Sequence, residues 1–290
     1  MTPHEIPHTE CRGTVATGAR RGRHSVVRIF GAAFILALLA PARAGSFGAP
    51  PPDLSAKLDK LVRAYPAALA GHDDRRLYLK DGRTFALSDG RADKSLDEMI
   101  AHPDIDDTFF ADYPAGAAAA VPPKDFDPGR VRFAPLFDAI YGDCRRGEVE
   151  PRLRALAWLP RHGGGTVAIT TVNGVDKALE AVSAELDTLP EEDMHFLIPS
   201  SGTYSCRSVA GSTARSMHGW GAAIDINADA SEYWRWSKEG WHNRVPMGIV
   251  RAFERHGFIW GGRWSHYDTM HFEYRPELLP GDVTAGPPAR

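Results

Sequence analysis

The sequence predicts an α+β fold, a mostly antiparallel sheet with flanking helices. Short β-branched or alternating runs recur along the chain, at 76–90, 166–172, 221–227 and 269–274. Longer stretches with apolar residues at helical spacing lie between them, and the two kinds do not alternate regularly. A regular βαβ rhythm would signal a parallel sheet; its absence favours strands paired antiparallel beside helices.

Leu54, Leu58, Leu61, Val62 and Tyr65 recur at helical spacing, which predicts a helix from about Asp53 to Tyr65. "RLYLKDGRTFALSDG" reads as a hairpin, two alternating runs around the two-residue turn Asp81-Gly82. "YPAGAAAAVPPKDFDPGR" is low in complexity and bracketed by prolines, and reads as a connection or a mobile surface loop. "TVAITTV" is a strand, with Asn173 as the N-cap of a following helix. Val175, Leu179, Val182, Leu186 and Leu189 mark the buried face of that helix, which Pro190 ends. "HFLIPSSGTYSCR" reads as a strand leaving into a loop, "GAAIDIN" and "TMHFEY" as two more strands. "IVRAFERHGF" is a helix between them, with Ile249, Val250 and Phe253 facing inward.

At the N-terminus, Arg20, Arg21, Arg23 and Arg28 precede an apolar run from Ile29 to Ala40, followed by Ala42-Arg43-Ala44. A basic lead, a short apolar stretch and small residues at the cleavage positions describe an export signal. Twelve apolar residues fall short of the roughly 20 that span a bilayer. No stable membrane span is expected after cleavage. Residues 1–44 hold six Arg and two Glu, so the remainder carries 28 basic against 35 acidic side chains. That balance argues against nucleic acid as a partner, which needs a concentrated basic surface. Cys144 and Cys206 remain after the signal, and in an exported protein they favour one disulfide over two buried thiols.

The chemistry gathers in the last third. In a strand over 222–227, Ile224 and Ile226 share one face and Asp225 takes the other, away from the core. In "TMHFEY", Met270, Phe272 and Tyr274 go to the core, and His271 stands opposite with Thr269 and Glu273. Two adjacent strands would thus present Asp225 and His271 on one surface, with His218 folding over from the loop before the first. Two histidines and a carboxylate suit a zinc ion that keeps its fourth position open. Asp268, three residues before His271, is placed to move a proton, with Glu273 as a second candidate. No H-E-x-x-H helix occurs, so the common helical zinc-peptidase site is absent.

Taken singly, either histidine is more often an ordinary core or surface residue than a ligand. The joint pattern S-x-H-x-x-G-x-A-x-D followed by D-x-x-H-F is far more restrictive. His256 beside Gly257 is explained by a helix end, and His266 is left as a contact to a ligand or substrate. Six of the seven tryptophans fall between Trp220 and Trp264, which packing largely explains. Trp260 and Trp264, flanking Gly261-Gly262, are the candidates for a cleft rim that stacks on substrate.

"SMHGWGAAIDIN" together with "GFIWGGRWSHYDTMHFEYRPEL" resembles the D-alanyl-D-alanine metallocarboxypeptidases, the VanY-like and L-alanyl-D-glutamate peptidase group. The resemblance spans roughly 140–280 and implies a core shared with the hedgehog signalling domain. It implies one zinc per chain on His218, Asp225 and His271, with Asp268 as general base. It further implies a substrate contact at Ser216 and, in "YSCRSVAG", an arginine (Arg207) that polarises the scissile carbonyl. The chain departs from the pattern in carrying Asp where many relatives carry Glu as the base. Residues 45–130 match none of the motifs, so the expected organisation is a signal over 1–44, a region of open role over 45–130 and a catalytic domain over 131–282. The expected function is an exported, periplasmic or extracellular zinc metallopeptidase acting on the stem peptides of peptidoglycan. D-alanyl-D-alanine carboxypeptidase comes first, an L-Ala/D-Glu endopeptidase or a non-catalytic metal-bearing cell-wall module second. Nothing in the sequence indicates the oligomeric state.

Overall fold

The structure, a computed structural model, describes residues 47, 49–209 and 214–281. The proposed signal at 1–44 lies outside the described residues. The described residues belong to one compact unit, residues 43–290. Among them no helix is long and apolar enough to cross a membrane.

The fold is α+β, and every strand pair among the described residues is antiparallel. It is built on three small sheets rather than one larger sheet. Helix α1 (Leu54–Ala64) buries Leu58, Leu61 and Ala64. Strands β1 (Leu69–His72), β2 (Arg76–Leu79) and β3 (Thr84–Ala86) form the first sheet in that order. The expected hairpin is present, but its loop has three residues, because Leu79 N–H bonds to the Arg83 carbonyl. Gly82, at φ +89°, takes the left-handed position that such a loop requires. Helix α2 (Leu96–Ala101) was not visible as an apolar period; a capping box of Ser95 and Glu98 defines its start. Helix α3 (Ala134–Tyr141) begins with Pro at its first turn and ends at Gly142.

Strands β4 (Leu153–Ala157) and β5 (Thr166–Thr170) make the second sheet, covered by α4 (Val175–Leu186). Asn173 does not cap α4 as expected. It sits at φ 57°, leaves the N-cap to Gly174, and donates its amide to the Ala64 carbonyl at 2.8 Å, tying α4 to the end of α1. Residues 195–207 do not form the predicted strand. A 3-10 turn runs over Glu191–Phe196, and Pro199, which has no N–H to donate, precedes a single bridge from Gly202 to Asp225.

The third sheet has the order β6 (Ala223–Asp225), β8 (His271–Tyr274), β7 (Phe258–Trp260), with α5 (Met247–Arg255) packed beside β7. Ile249, Val250 and Phe253 of α5 are buried as expected, and Phe253 stacks on Phe272 at 3.8 Å between ring centroids. Burying a ring of this size contributes about 1.5–3 kcal/mol. The Pro-bracketed segment at 113–130 has no helix or strand, yet it is a fixed connection. Arg263 donates to the Ala117 carbonyl, Trp264 to that of Pro128 and Arg275 to that of Gly129. Residues 113–130 are thereby fastened along one side of the third sheet.

Candidate active site

Register places the first two residues of interest. Asp225 lies directly opposite His271 across the β6–β8 pair, and Ile224 opposite Phe272. Phe272 and Tyr274 face the core, so Asp225 and His271 share the other face. His218 comes from a 3-10 turn over Met217–Trp220, capped by Ser216, whose hydroxyl accepts the His218 N–H at 3.3 Å. Gly221 ends that turn at φ +63°; a Cβ there would lie 2.7 Å from Leu153, so only glycine lets the turn feed β6.

His218 Nε2, Asp225 Oδ1 and His271 Nδ1 form a triangle with sides of 3.1, 2.9 and 3.0 Å. Ligand atoms on a tetrahedral zinc at about 2.0–2.2 Å stand about 3.4 Å apart, close to this spacing. The outer nitrogens support the same reading. His218 Nδ1 meets the Thr203 carbonyl, so it carries the proton and leaves Nε2 as a lone pair. His271 Nε2 donates to Glu273 at 2.9 Å, which leaves Nδ1 as a lone pair. With both imidazoles neutral, three acceptors face one another with no donor among them, an arrangement that a metal cation satisfies; without one, a proton on His271 takes that place. Burial lowers the pKa of His271, but the carboxylates of Asp225 and Glu273 outweigh it and raise it to about 9. Burial opposes ionisation of Asp225, yet His218 and His271 hold its carboxyl well below the ordinary range. The spot attracts positive charge.

Glu273 is the brace of His271 rather than a second base. It is fully buried, accepts from Arg132 and from Arg275 Nη1 at 3.1 Å, and is not among the residues lining the cleft. Arg275 in turn pairs with Glu277, which accepts from Tyr65 at the end of α1 at 2.7 Å.

The cleft above the triangle has a volume of about 340 Å³. Arg207, Ser216, Trp264 and Asp268 line it with His218, Asp225 and His271. Asp268 Oδ1 is buried and has no hydrogen-bond partner. Burial, then the charge of Asp225, pushes the Asp268 carboxyl up to about 7, against the pull of His271, Arg130 and Arg207. A cation between the three ligand atoms would pull it back down. Arg207 is half exposed, with Nη2 3.9 Å from Asp225 Oδ2.

The two tryptophans part company. Trp264 lines the cleft as an inner wall rather than a rim: it is 4% exposed, its ring 5.7 Å from that of His271. Trp260 is not at the rim: it is fully buried and donates its indole N–H to the Thr269 carbonyl. Its strand β7 packs between α5 and β8, so no face is left for solvent. His256 bonds to Glu185, away from the cleft. Sequence reasoning passed over Asp127, Arg130, Arg132, Tyr233, Trp234 and Trp236. Five of these line the cleft, and Asp127 lies buried beneath Arg130. The only local signal was an acid and an arginine three apart in "DPGR".

Cys144 and Cys206 are joined, fixing the loop that carries Arg207 to the end of α3. Closing a loop with a sequence separation of 62 contributes about 4 kcal/mol in the chain-entropy account. Replacing both cysteines by serine should lower the unfolding free energy by about that much. Urea melts of the variant and of the wild type, each with and without reductant, measure this; equal midpoints would show that the bridge adds nothing.

Residues 210–274 match the family model described as D-alanyl-D-alanine carboxypeptidase. The matched segment contains Ser216, His218, Asp225, Asp268 and His271. No curated protein and no solved structure matches the chain.

Proposed function

We propose that this chain, whose residues 210–274 belong to the D-alanyl-D-alanine carboxypeptidase family, is an exported zinc peptidase that trims peptidoglycan stem peptides. The observation that carries the reading is the triangle of His218, Asp225 and His271, with outer nitrogens already engaged, beside the Asp268 carboxyl, one oxygen of which is buried and unpaired. The disulfide is compatible with export.

When bound, zinc supplies Lewis acidity toward the scissile carbonyl and lowers the pKa of water. Asp268 takes the proton of the attacking water and returns it to the leaving amine; its unpaired oxygen is free for that contact. Arg207, on the cleft wall beside Asp225, donates to the carbonyl oxygen as negative charge develops there. Ser216 holds the turn that carries His218 and lies on the cleft wall, within reach of a substrate backbone. Trp264 gives the substrate an apolar wall.

Purified mature protein should hold about one zinc per chain, and Asp225→Ala should lose most of it, because two remaining ligands bind zinc poorly. Elemental analysis gives the first result, and mass analysis of muropeptides after incubation with sacculi gives the activity. Loss of terminal D-alanine identifies a carboxypeptidase, and cleavage between L-Ala and D-Glu identifies an endopeptidase. Zinc binding with no cleaved product would make the chain a binding module, and well-folded protein without metal would remove the proposal.

A further inference from the structure

We infer that Arg130 and His266, both held by the buried Asp127, form a subsite for the C-terminal carboxylate of the substrate. The inference rests on the peptidase reading above and deepens it, since such a subsite makes the enzyme act at the end of the stem rather than within it.

Asp127 is fully buried and satisfied by four donors. Its Oδ2 accepts from His266 Nδ1 at 2.7 Å and Arg130 Nη1 at 2.8 Å. Its Oδ1 accepts from the Ser265 hydroxyl at 2.7 Å and from the His266 N–H at 3.1 Å. Burial raises its pKa, but His266 and Arg130 outweigh this and hold it at about 2. Asp127 is therefore held as an anion, and two of its three side-chain partners, one guanidinium and one imidazole, line the cleft that contains Asp268 and His271. Trp234 packs edge-on against His266 at 4.7 Å and restricts the ring further. Fixing donors in advance is how a site lowers the entropic cost of binding a charged group.

Three guanidiniums line the cleft, and the other two have other partners. Arg132 is spent on Glu273, the brace of His271. Arg207 stands against Asp225. Arg130 touches none of the three putting their ligand atoms into the triangle, and Asp127 engages it through Nη1, one end of a fork with five N–H donors. A planar guanidinium held from one end suits a carboxylate approaching the other. A peptidase acting at a chain end must bring a carboxylate within a few bonds of the scissile amide, and desolvating that charge demands a cation. An endopeptidase cutting within a chain meets a neutral amide at the same place, unless the residue after the bond carries a carboxylate of its own, as D-Glu does; the acid and amide of a D-Ala-D-Ala peptide separate the two cases. The cleft, at about 340 Å³, also lies at the small end of ligand pockets, which run from roughly 300 to 1,000 Å³. Asp127 and Arg130 precede residue 210, outside the matched family segment.

The test uses an N-acylated peptide ending in Lys-D-Ala-D-Ala, as the free acid and as its C-terminal amide. Calorimetric titration of the zinc-loaded Asp268→Asn protein reads binding without turnover. The acid should bind about 10–100-fold more tightly than the amide, the worth of one charge-assisted pair. In the double variant that adds Arg130→Gln that preference should vanish while amide binding stays the same; Arg130→Lys should keep part of it. In otherwise wild-type protein, Arg130→Gln should raise KM for the acid more than it lowers kcat. Equal binding of acid and amide by the parent protein, or an equal loss for both in Arg130→Gln, overturns the subsite even if the enzyme cleaves peptides. A preference for the acid that depends on Arg130, in a wild type that cleaves nothing, upholds the subsite and removes the peptidase reading instead.

Discussion

Asp268→Asn should lower turnover about 100-fold or more while leaving zinc content and thermal stability close to wild type. The side chain keeps its shape and loses its basicity, and its Oδ1 has no partner in the fold that the change would break. The loss should fall on kcat more than on KM, because proton transfer matters mainly in the transition state. Asp268→Glu should retain part of the activity, since it keeps a carboxylate of similar basicity on a side chain one methylene longer. Release of D-alanine from a pentapeptide stem measures both variants. Near-normal activity in Asp268→Asn would take the proton-transfer role from this residue. Glu273 is no substitute, being enclosed by Arg132, Arg275 and His271.

Glu273→Ala should destabilise the protein by about 3–5 kcal/mol, the usual consequence of removing one partner from a buried ionic network. Arg275 would keep Glu277 and the Gly129 carbonyl. Arg132 would keep the carbonyl of Arg130 and the face of the Trp264 ring, and become a buried charge without a counter-ion. The same substitution frees His271 Nε2, and loss of such an outer partner weakens metal binding about 10–100-fold. Glu273→Gln, which keeps volume and one acceptor, should fall between the alanine variant and wild type on both counts. Urea denaturation gives the first effect and chelator competition the second. A change under about 1 kcal/mol in Glu273→Ala would show that water, not the carboxylate, satisfies the arginines.

The alternation of apolar and polar residues determined the faces of the two short strands from sequence alone. Ile224 and Phe272 had to face the core, so Asp225 and His271 had to share the opposite surface. The periods of α1, α4 and α5 were equally legible, because each buries one stripe against the core. Local pattern misled where a neighbour decided the outcome. Asn173 has the chemistry of a helix cap, but the end of α1 offers its amide a carbonyl. Trp260 sits beside glycines, yet β7 is enclosed by α5 and β8. Residues 195–207 carry strand-forming side chains, but Pro199 leaves them only one bridge to β6.

Periodicity fixes which face a residue takes and says nothing of which distant residue it meets. Only the tertiary structure decided that Asp225 stands opposite His271 across a separation of 46 residues. It alone brought Glu273 to Arg132 and Asp127 to His266, across separations of 141 and 139. Those contacts come from the packing of the core, in which residues 113–130 are fastened along the sheet that carries the site. A buried charge leaves no local mark in sequence, because its partners are chosen by the fold that encloses them.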